Sequence, residues 1–268
     1  MAEGDPPPPS SWHHGIVARW WTFFRTEHPE LEVIRPLVEG RAPGLDLACG
    51  AGRLLVPLVA AGLDVDGVDV SADMLASCAT AAEAVGASPR LFRQPLHALD
   101  LPRRYGVAYA CGALGLGSTR AQDAQALRRI REHLLPGGVL VLDNEVPWSN
   151  PTVWERWTRP DAPADPVPRP PSEGRRAAPD GCEYALAARL LGVDPHLQQE
   201  RWEMHAWQWR DDVLVASEHS TLTANVYFTG ELVLLLEGAG FTDVELRGGY
   251  TDRAPGPGDD TVVAVARR

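Results

Sequence analysis

Apolar and polar positions change rhythm several times along the chain, and each change predicts an element. Residues 1–11 are polar and proline-rich and are expected as a disordered tail. From Trp12 the apolar positions Trp12, Ile16, Val17, Trp20, Trp21 and Phe24 fall near a 3.6-residue period. After a break at Pro29 a second helical stretch follows from Leu31 to Leu37, so residues 12–40 read as an N-terminal helical segment.

Between residues 43 and 145 short apolar runs alternate with amphipathic ones. The pattern predicts strands at 44–48, 64–70, 90–94, 107–111 and 139–143. It predicts helices at 53–61 (closed by Gly62), from a Ser71 cap through Ala84, and at 121–135, stopped by Pro136-Gly137-Gly138. Such βαβα alternation implies an α/β fold, a doubly wound parallel sheet with helices on both faces. Residues 147–197 break the rhythm. Six prolines fall between Pro160 and Pro171, and that stretch reads as loop or extended chain. Two strand-like runs, 198–210 and 213–223, meet at Asp211-Asp212 as a hairpin. A helix at 229–237 and strands at 242–246 and 261–266 close the chain. The resulting division is a core of 41–146 and 224–268, with 147–223 inserted as a small antiparallel cap.

Composition narrows the chemistry. All 25 basic residues are arginine. Without lysine there is no side-chain Schiff base, hence no pyridoxal-phosphate enzyme or lysine aldolase, and no P-loop lysine. A net charge of -11 lacks the basic face a nucleic-acid partner needs. Cys49, Cys78, Cys111 and Cys182 are isolated, and the histidines are scattered, so neither a disulfide framework nor a metal site is expected. The acidic, proline-rich start lacks an apolar signal region, and no apolar run is long enough to span a membrane. A cytoplasmic location with no membrane partner is therefore expected.

The most informative segment is Leu45-Asp46-Leu47-Ala48-Cys49-Gly50-Ala51-Gly52-Arg53, a strand running into a glycine pair and then a helix. Glycines there let the backbone approach a ligand, and the free N–H groups of the helix start face it. Asp69 ends the next strand, where a carboxylate can accept both hydroxyls of a ribose. The third glycine of a dinucleotide fingerprint is replaced by Leu55, which disfavours a pyrophosphate. Asp46, an anion just ahead of the loop, suits an ammonium group instead. An amino-acid cation joined to a ribose and a base has the make-up of S-adenosylmethionine.

These residues resemble the first motif of the class I S-adenosylmethionine-dependent methyltransferases, small-molecule type. Asp69 matches that family's ribose-binding acid, Gln94 its adenine-contacting position, and Leu135-Pro136-Gly137-Gly138 its turn before the fifth strand. Glu231-Leu232 through Gly238-Ala239-Gly240-Phe241 looks like its helix before the last two strands. The likeness spans about residues 41–145 and 228–268. Gly106 departs from it, standing where the family usually has Asp. The resemblance implies a Rossmann-like seven-stranded sheet with an antiparallel last strand. It also implies S-adenosylmethionine as cofactor, S-adenosylhomocysteine as its product, and a cofactor site built from Asp46, Ala48, Gly50, Gly52, Asp69, Val70, Met74, Gln94, Leu96 and Cys111.

Methyl transfer needs alignment, and a general base when the acceptor is a hydroxyl or a protonated amine. The candidate bases are His13 and His14, in an N-terminal segment that the family commonly uses as a lid, and Glu145 at the end of the fifth strand. Trp12, Asn144, His205, Trp207 and Tyr227 are candidate substrate contacts. His205, Trp207 and Trp209 share a strand face that could clamp a planar or cationic acceptor. Nine tryptophans and the inserted cap point to a small, largely apolar or aromatic molecule, with a sugar amine as the other option and the N-, O- or C-acceptor open. The alternatives are an enzyme using the cofactor for other chemistry and a cofactor-sensing regulatory protein. A monomer or homodimer is expected.

Overall fold

The computed structural model describes residues 11–268, so all of the expected tail except Ser11 lies outside the described residues. The elements run α1 (Gly15–Phe24), α2 (Leu31–Arg41), β1 (Gly44–Leu47), α3 (Leu55–Ala60), β2 (Val65–Asp69), α4 (Ala72–Ala84), β3 (Leu91–Arg93), β4 (Tyr105–Ala110), α5 (Arg120–His133) and β5 (Leu134–Glu145). They continue α6 (Pro151–Trp157), β6 (Arg176–Ala177), β7 (Glu183–Asp194), β8 (Gln199–Arg210), β9 (Val213–Asn225), α7 (Thr229–Gly238), β10 (Thr242–Gly248) and β11 (Thr261–Arg267).

Seven strands form one sheet in the order β10-β11-β5-β4-β1-β2-β3. β1 pairs in parallel with β2 and β4, and β4 with β5, whereas β11 runs antiparallel to both β5 and β10. Alternate residues of the central strands feed two cores. Leu45, Leu47, Ala108 and Leu140 pack with Leu127 and Ile130 of α5 and Leu232 and Leu236 of α7. Val107, Tyr109, Val139 and Val141 pack with Ile34 and Val38 of α2, Leu55 and Leu58 of α3 and Cys78 of α4. Strands covered on both faces read as near-continuous apolar runs, which is why β1 and β4 were legible in the sequence.

The strand order reverses beside β1, between β4 and β2, and doubly wound sheets open a ligand crevice at the carboxyl ends of strands at such a point. Gly106 now has a packing reason. A Cβ there would lie 1.8 Å from the Arg41 carbonyl oxygen, and its N–H donates to Pro43 O at 2.9 Å. No aspartate fits where the end of α2 presses on β4.

The inserted segment forms a second, fully antiparallel sheet, β6-β7-β8-β9. The proline-rich stretch 160–171 holds no helix or strand, as expected, and the rest of 147–197 contains α6, β6 and β7. The α6 start was signalled by Asn150-Pro151, because the Asn150 side chain accepts the Thr152 and Val153 N–H groups and proline suits the first helical turn. β7 reads EYALAARLLGVD, without the alternation of a half-buried strand. Its pairing with β8, from Glu183 opposite Trp209 to Asp194 opposite Gln199, makes it a strand.

α1 packs on this second sheet, burying Ile16 and Val17 against Cys182, Tyr184, Met204 and Ala206. Its N-cap, His14, makes no side-chain cap. Carboxylates from two other elements take the free N–H groups instead: Gly15 N donates to Asp73 of α4 at 2.8 Å, and Ile16 N to Glu218 of β9 at 2.9 Å. The N-terminal segment thus bridges the main sheet's helices and the inserted sheet.

Candidate active site

The carboxyl ends of β1, β2, β4 and β5 converge on a cavity of 530 Å³. Its floor is the loop after β1. Gly50 and Gly52 adopt φ values of +56° and +85°, and Ala48 is held at +57°, a left-handed conformation uncommon for a side-chain-bearing residue. Gly52 is required twice over, since a Cβ there would also sit 2.7 Å from both Cys78 Sγ and Val56 Cγ2. Asp69 Oδ2 accepts the Gly50 N–H at 2.9 Å and Oδ1 accepts the Ser71 N–H at 2.8 Å. The carboxylate therefore braces the loop and keeps further lone pairs for a ligand. Ser71 caps α4 by accepting the Met74 N–H, and its hydroxyl donates to the His13 carbonyl, tying the N-terminal segment to the loop after β2.

Most of the expected cofactor residues line this cavity: Asp46, Ala48, Gly50, Asp69, Val70, Met74, Gln94, Leu96 and Cys111. Gly52 is not part of its wall; there is no room for a Cβ between it and Cys78. Gln94 is placed there but already committed: its side chain donates to Asp100 O at 3.0 Å and accepts Asp100 N–H at 2.8 Å. Asp46 is 3% exposed and its Oδ2 has no hydrogen-bond partner. Burial holds its carboxyl well above the usual carboxylate range. A buried acceptor left open beside a cradle of N–H groups matches a ligand bearing an ammonium, so the residues present fit S-adenosylmethionine.

Of the other candidates, Trp12, His13 and Glu145 reach the cavity. His13 Nδ1 lies 3.1 Å from Ser11 Oγ, and its ring stands edge-on to Trp21 at 5.0 Å. Burial, with the charge of His14, pulls its pKa down to about 4. Glu145 accepts the Ser149 hydroxyl at 2.7 Å. The structure does not bring His14, Asn144, His205, Trp207 or Tyr227 to the cavity wall. Asn144 donates to Tyr227 O at 2.9 Å, holding β5 to the chain entering α7. His205 sits on the second sheet, 2.6 Å from Glu203 and stacked between Trp207 and His219. Tyr227 is buried and points its hydroxyl at Asp123, 2.6 Å away.

The sequence did not single out several cavity residues. Arg53 forms a two-pronged pair with Glu30, both bonds at 2.7 Å, and Arg25 stands nearby over the Trp21 ring. Arg53 directly follows Gly52, so its position in the loop was a usable signal. Glu30 lay in a stretch read only for helix period. Asp123 accepts from Ser118 at 2.5 Å, Asn225 at 2.8 Å and Tyr227 at 2.6 Å, a junction of α5, β9 and the segment before α7 that no local pattern shows. Asp143 accepts Gly112 N–H at 2.6 Å and the Tyr250 hydroxyl at 2.8 Å, with Cys111 Sγ 3.1 Å from the same hydroxyl.

Sheet order, glycine loop and acid-ended second strand are similar to those of the class I S-adenosylmethionine-dependent methyltransferases. Residues 45–138 match the methyltransferase domain family. A putative methyltransferase of Geobacillus sp. (strain WCH70) is 27% identical over 227 residues, covering 84% of this chain and 83% of that protein. An S-adenosylmethionine-dependent methyltransferase from Clostridium acetobutylicum ATCC 824 superposes with a TM-score of 0.70 at 15% identity, over 93% of this chain and 96% of that one. The sugar N-methyltransferase KedS8 from Streptoalloteichus sp. ATCC 53650 superposes with a TM-score of 0.60 at 21% identity, over 95% and 88% of the two chains. The expected fold, cofactor and enzyme class hold. Among the described residues no helix is long and apolar enough to cross a membrane, and no group of three or more His, Cys, Asp or Glu could hold a metal ion.

Proposed function

We propose that this enzyme methylates an amine nitrogen of a small natural-product-type molecule. The charge of the cavity carries the reading. Its wall holds six carboxylates, Glu30, Asp46, Asp69, Asp123, Asp143 and Glu145, against two arginines, Arg25 and Arg53, and Glu30 already pairs with Arg53. A cavity with this excess of negative charge attracts cations and repels anions. Similarity to a sugar N-methyltransferase over 95% of the chain agrees with it.

When bound, S-adenosylmethionine supplies a methyl group on a positively charged sulfur. In this reading Asp46 pairs with the ammonium of its amino-acid portion, Asp69 accepts the ribose hydroxyls, and Met74 and Leu96 flank the adenine. Trp12, His13 and Trp21 close the cavity from the N-terminal segment and keep water from the reacting atoms. The enzyme's main contribution is alignment, on the order of 7–11 kcal/mol. The test is incubation of the enzyme and S-adenosylmethionine with nitrophenyl glycosides of amino sugars, with phenols and with indoles. A mass gain of one methyl on the amines alone supports the reading. Methylation confined to the phenols or indoles overturns it.

A further inference from the structure

Resting on the amine reading, we infer that Asp143 is the carboxylate that receives the acceptor's ammonium and removes its proton, with Tyr250 as its positioning residue. Four of the six cavity carboxylates are already engaged. Glu30 is neutralised by Arg53. Asp123 is saturated by three donors from Ser118, Asn225 and Tyr227. Asp69 braces Gly50 and Ser71 on the ribose side. Glu145 is exposed and turned to Ser149. Two remain, Asp46 and Asp143, and neither forms an ion pair among the described residues. Bound cofactor and acceptor bring two ammonium groups, one for each.

Placement separates the two roles. Asp46 lies opposite Tyr109, and Tyr109 opposite Val141, so Asp46, Cys111 and Asp143 share one face of the sheet by period-two alternation. Asp143 sits two residues further toward the strand ends and two strands away from Asp46, roughly 12 Å by sheet spacing. It is partly exposed to the cavity. The Gly112 N–H and the Tyr250 O–H, one on each oxygen, hold its carboxylate plane.

The step balances. A proton passes from the acceptor ammonium to the Asp143 carboxylate, freeing the nitrogen lone pair. That pair forms the new N–C bond as the S–C bond breaks, with the S–C electron pair staying on sulfur. Asp143 then releases its proton to solvent. Burial raises the Asp143 pKa, and the Gly112 and Tyr250 hydrogen bonds oppose the rise. The charged and titratable groups around it are Cys111 of β4, Tyr250 of the β10–β11 loop, Glu30 ahead of α2 and Arg53 of the β1 loop.

The experiment compares the parent enzyme with Asp143→Asn and Tyr250→Phe. The readouts are the pH profile of kcat/KM for a nitrophenyl amino-sugar glycoside and S-adenosylhomocysteine affinity by calorimetry. Asp143→Asn lowers kcat/KM at pH 7 by about 10²–10⁴-fold and removes the acidic limb of the profile, with S-adenosylhomocysteine affinity within about threefold of the parent. Tyr250→Phe moves that limb to higher pH, because a donor to the ionised carboxylate is gone; a purely structural effect lowers the rate without moving the limb. Near-parental kcat/KM in Asp143→Asn, or an unmoved limb in Tyr250→Phe, overturns the assignment. A collapse of S-adenosylhomocysteine affinity in Asp143→Asn also overturns it and makes Asp143 a cofactor ligand. A parent enzyme that methylates no amine overturns the amine reading itself, and this inference with it.

Discussion

Asp69 Oδ2 accepts the Gly50 amide at 2.9 Å, so the acid at the end of β2 holds the loop that follows β1. Removing the carboxylate takes away a brace and a ligand acceptor together. Asp69→Ala is expected to weaken S-adenosylhomocysteine binding by about 10- to 150-fold, the equivalent of about 1.5–3 kcal/mol for hydrogen bonds to a charged group. Calorimetry checks this, with an unchanged circular dichroism spectrum showing that the fold persists. Parental affinity in that variant excludes Asp69 from the cofactor site.

Asp46 makes a second, separable prediction. Its Oδ2 is buried without a partner in the chain, so its role depends on a cation arriving with the ligand. Asp46→Asn should cost about tenfold or more in affinity for S-adenosylhomocysteine. It should cost far less for the deaminated analogue, which lacks the ammonium. Equal losses for both ligands would exclude an ammonium pairing.

Gly106→Ala tests the packing of α2 on β4. A Cβ 1.8 Å from the Arg41 carbonyl oxygen cannot be relieved by a side-chain rotation, because the obstacle is backbone. Overpacking of this kind costs about 1–3 kcal/mol or more. In a chain of this length that corresponds to a melting temperature about 2–12 °C lower, by scanning calorimetry. A substitution at Gly62, where an added Cβ meets nothing within 4 Å, is not a clean control, because its φ of +80° strains any side chain. Gly230, which also meets nothing and carries no such φ, serves better.

Acid should release the N-terminal segment. His13 has its pKa lowered to about 4 by burial and by the charge of His14, against an unfolded value of 6.5. Above pH 6.5 both states are neutral and the docking is fully stable. Between pH 6.5 and 4 the released segment binds a proton that the docked one does not, so stability falls by up to about 3 kcal/mol. The loss is local, because the stretch ahead of the buried Ile16 and Val17 is held by a few bonds, His13 O to Ser71, Gly15 N to Asp73 and Ile16 N to Glu218. Protection factors of the Gly15 and Ile16 amides, corrected for the intrinsic exchange rate at each pH, should fall on acidification from pH 7 to 5 while those of β1 and β4 hold. His13→Phe should remove the pH dependence of the Gly15 and Ile16 protection factors.

Legibility followed the range of the interaction. The glycine loop, Asp69 and the Ser71 cap were readable because strand, turn, helix and acid lie within about 25 consecutive residues. Arg53 could have been read from the same loop. Asp123, Asp143 and Tyr250 could not, since the tyrosine contacts that join them lie about 100 residues or more apart in sequence: Tyr227 with Asp123, Tyr250 with Asp143 and with Cys111. His205 and Trp207 illustrate the opposite error. Their alternation correctly put them on one face of a strand, but which way that face turned depended on α1 covering the other one through Met204 and Ala206.

The sequence by itself determined the doubly wound sheet, the cofactor loop and the class of chemistry. Each follows from local periodicity, backbone freedom at a turn, and an acid at a strand end. Only the tertiary structure decided what lines the acceptor side of the cavity, that β7 is a strand, and that Tyr227 spends its hydroxyl on Asp123. Those outcomes rest on long-range pairing and burial, which set a side chain's direction, partners and charge without leaving a periodic trace in the chain.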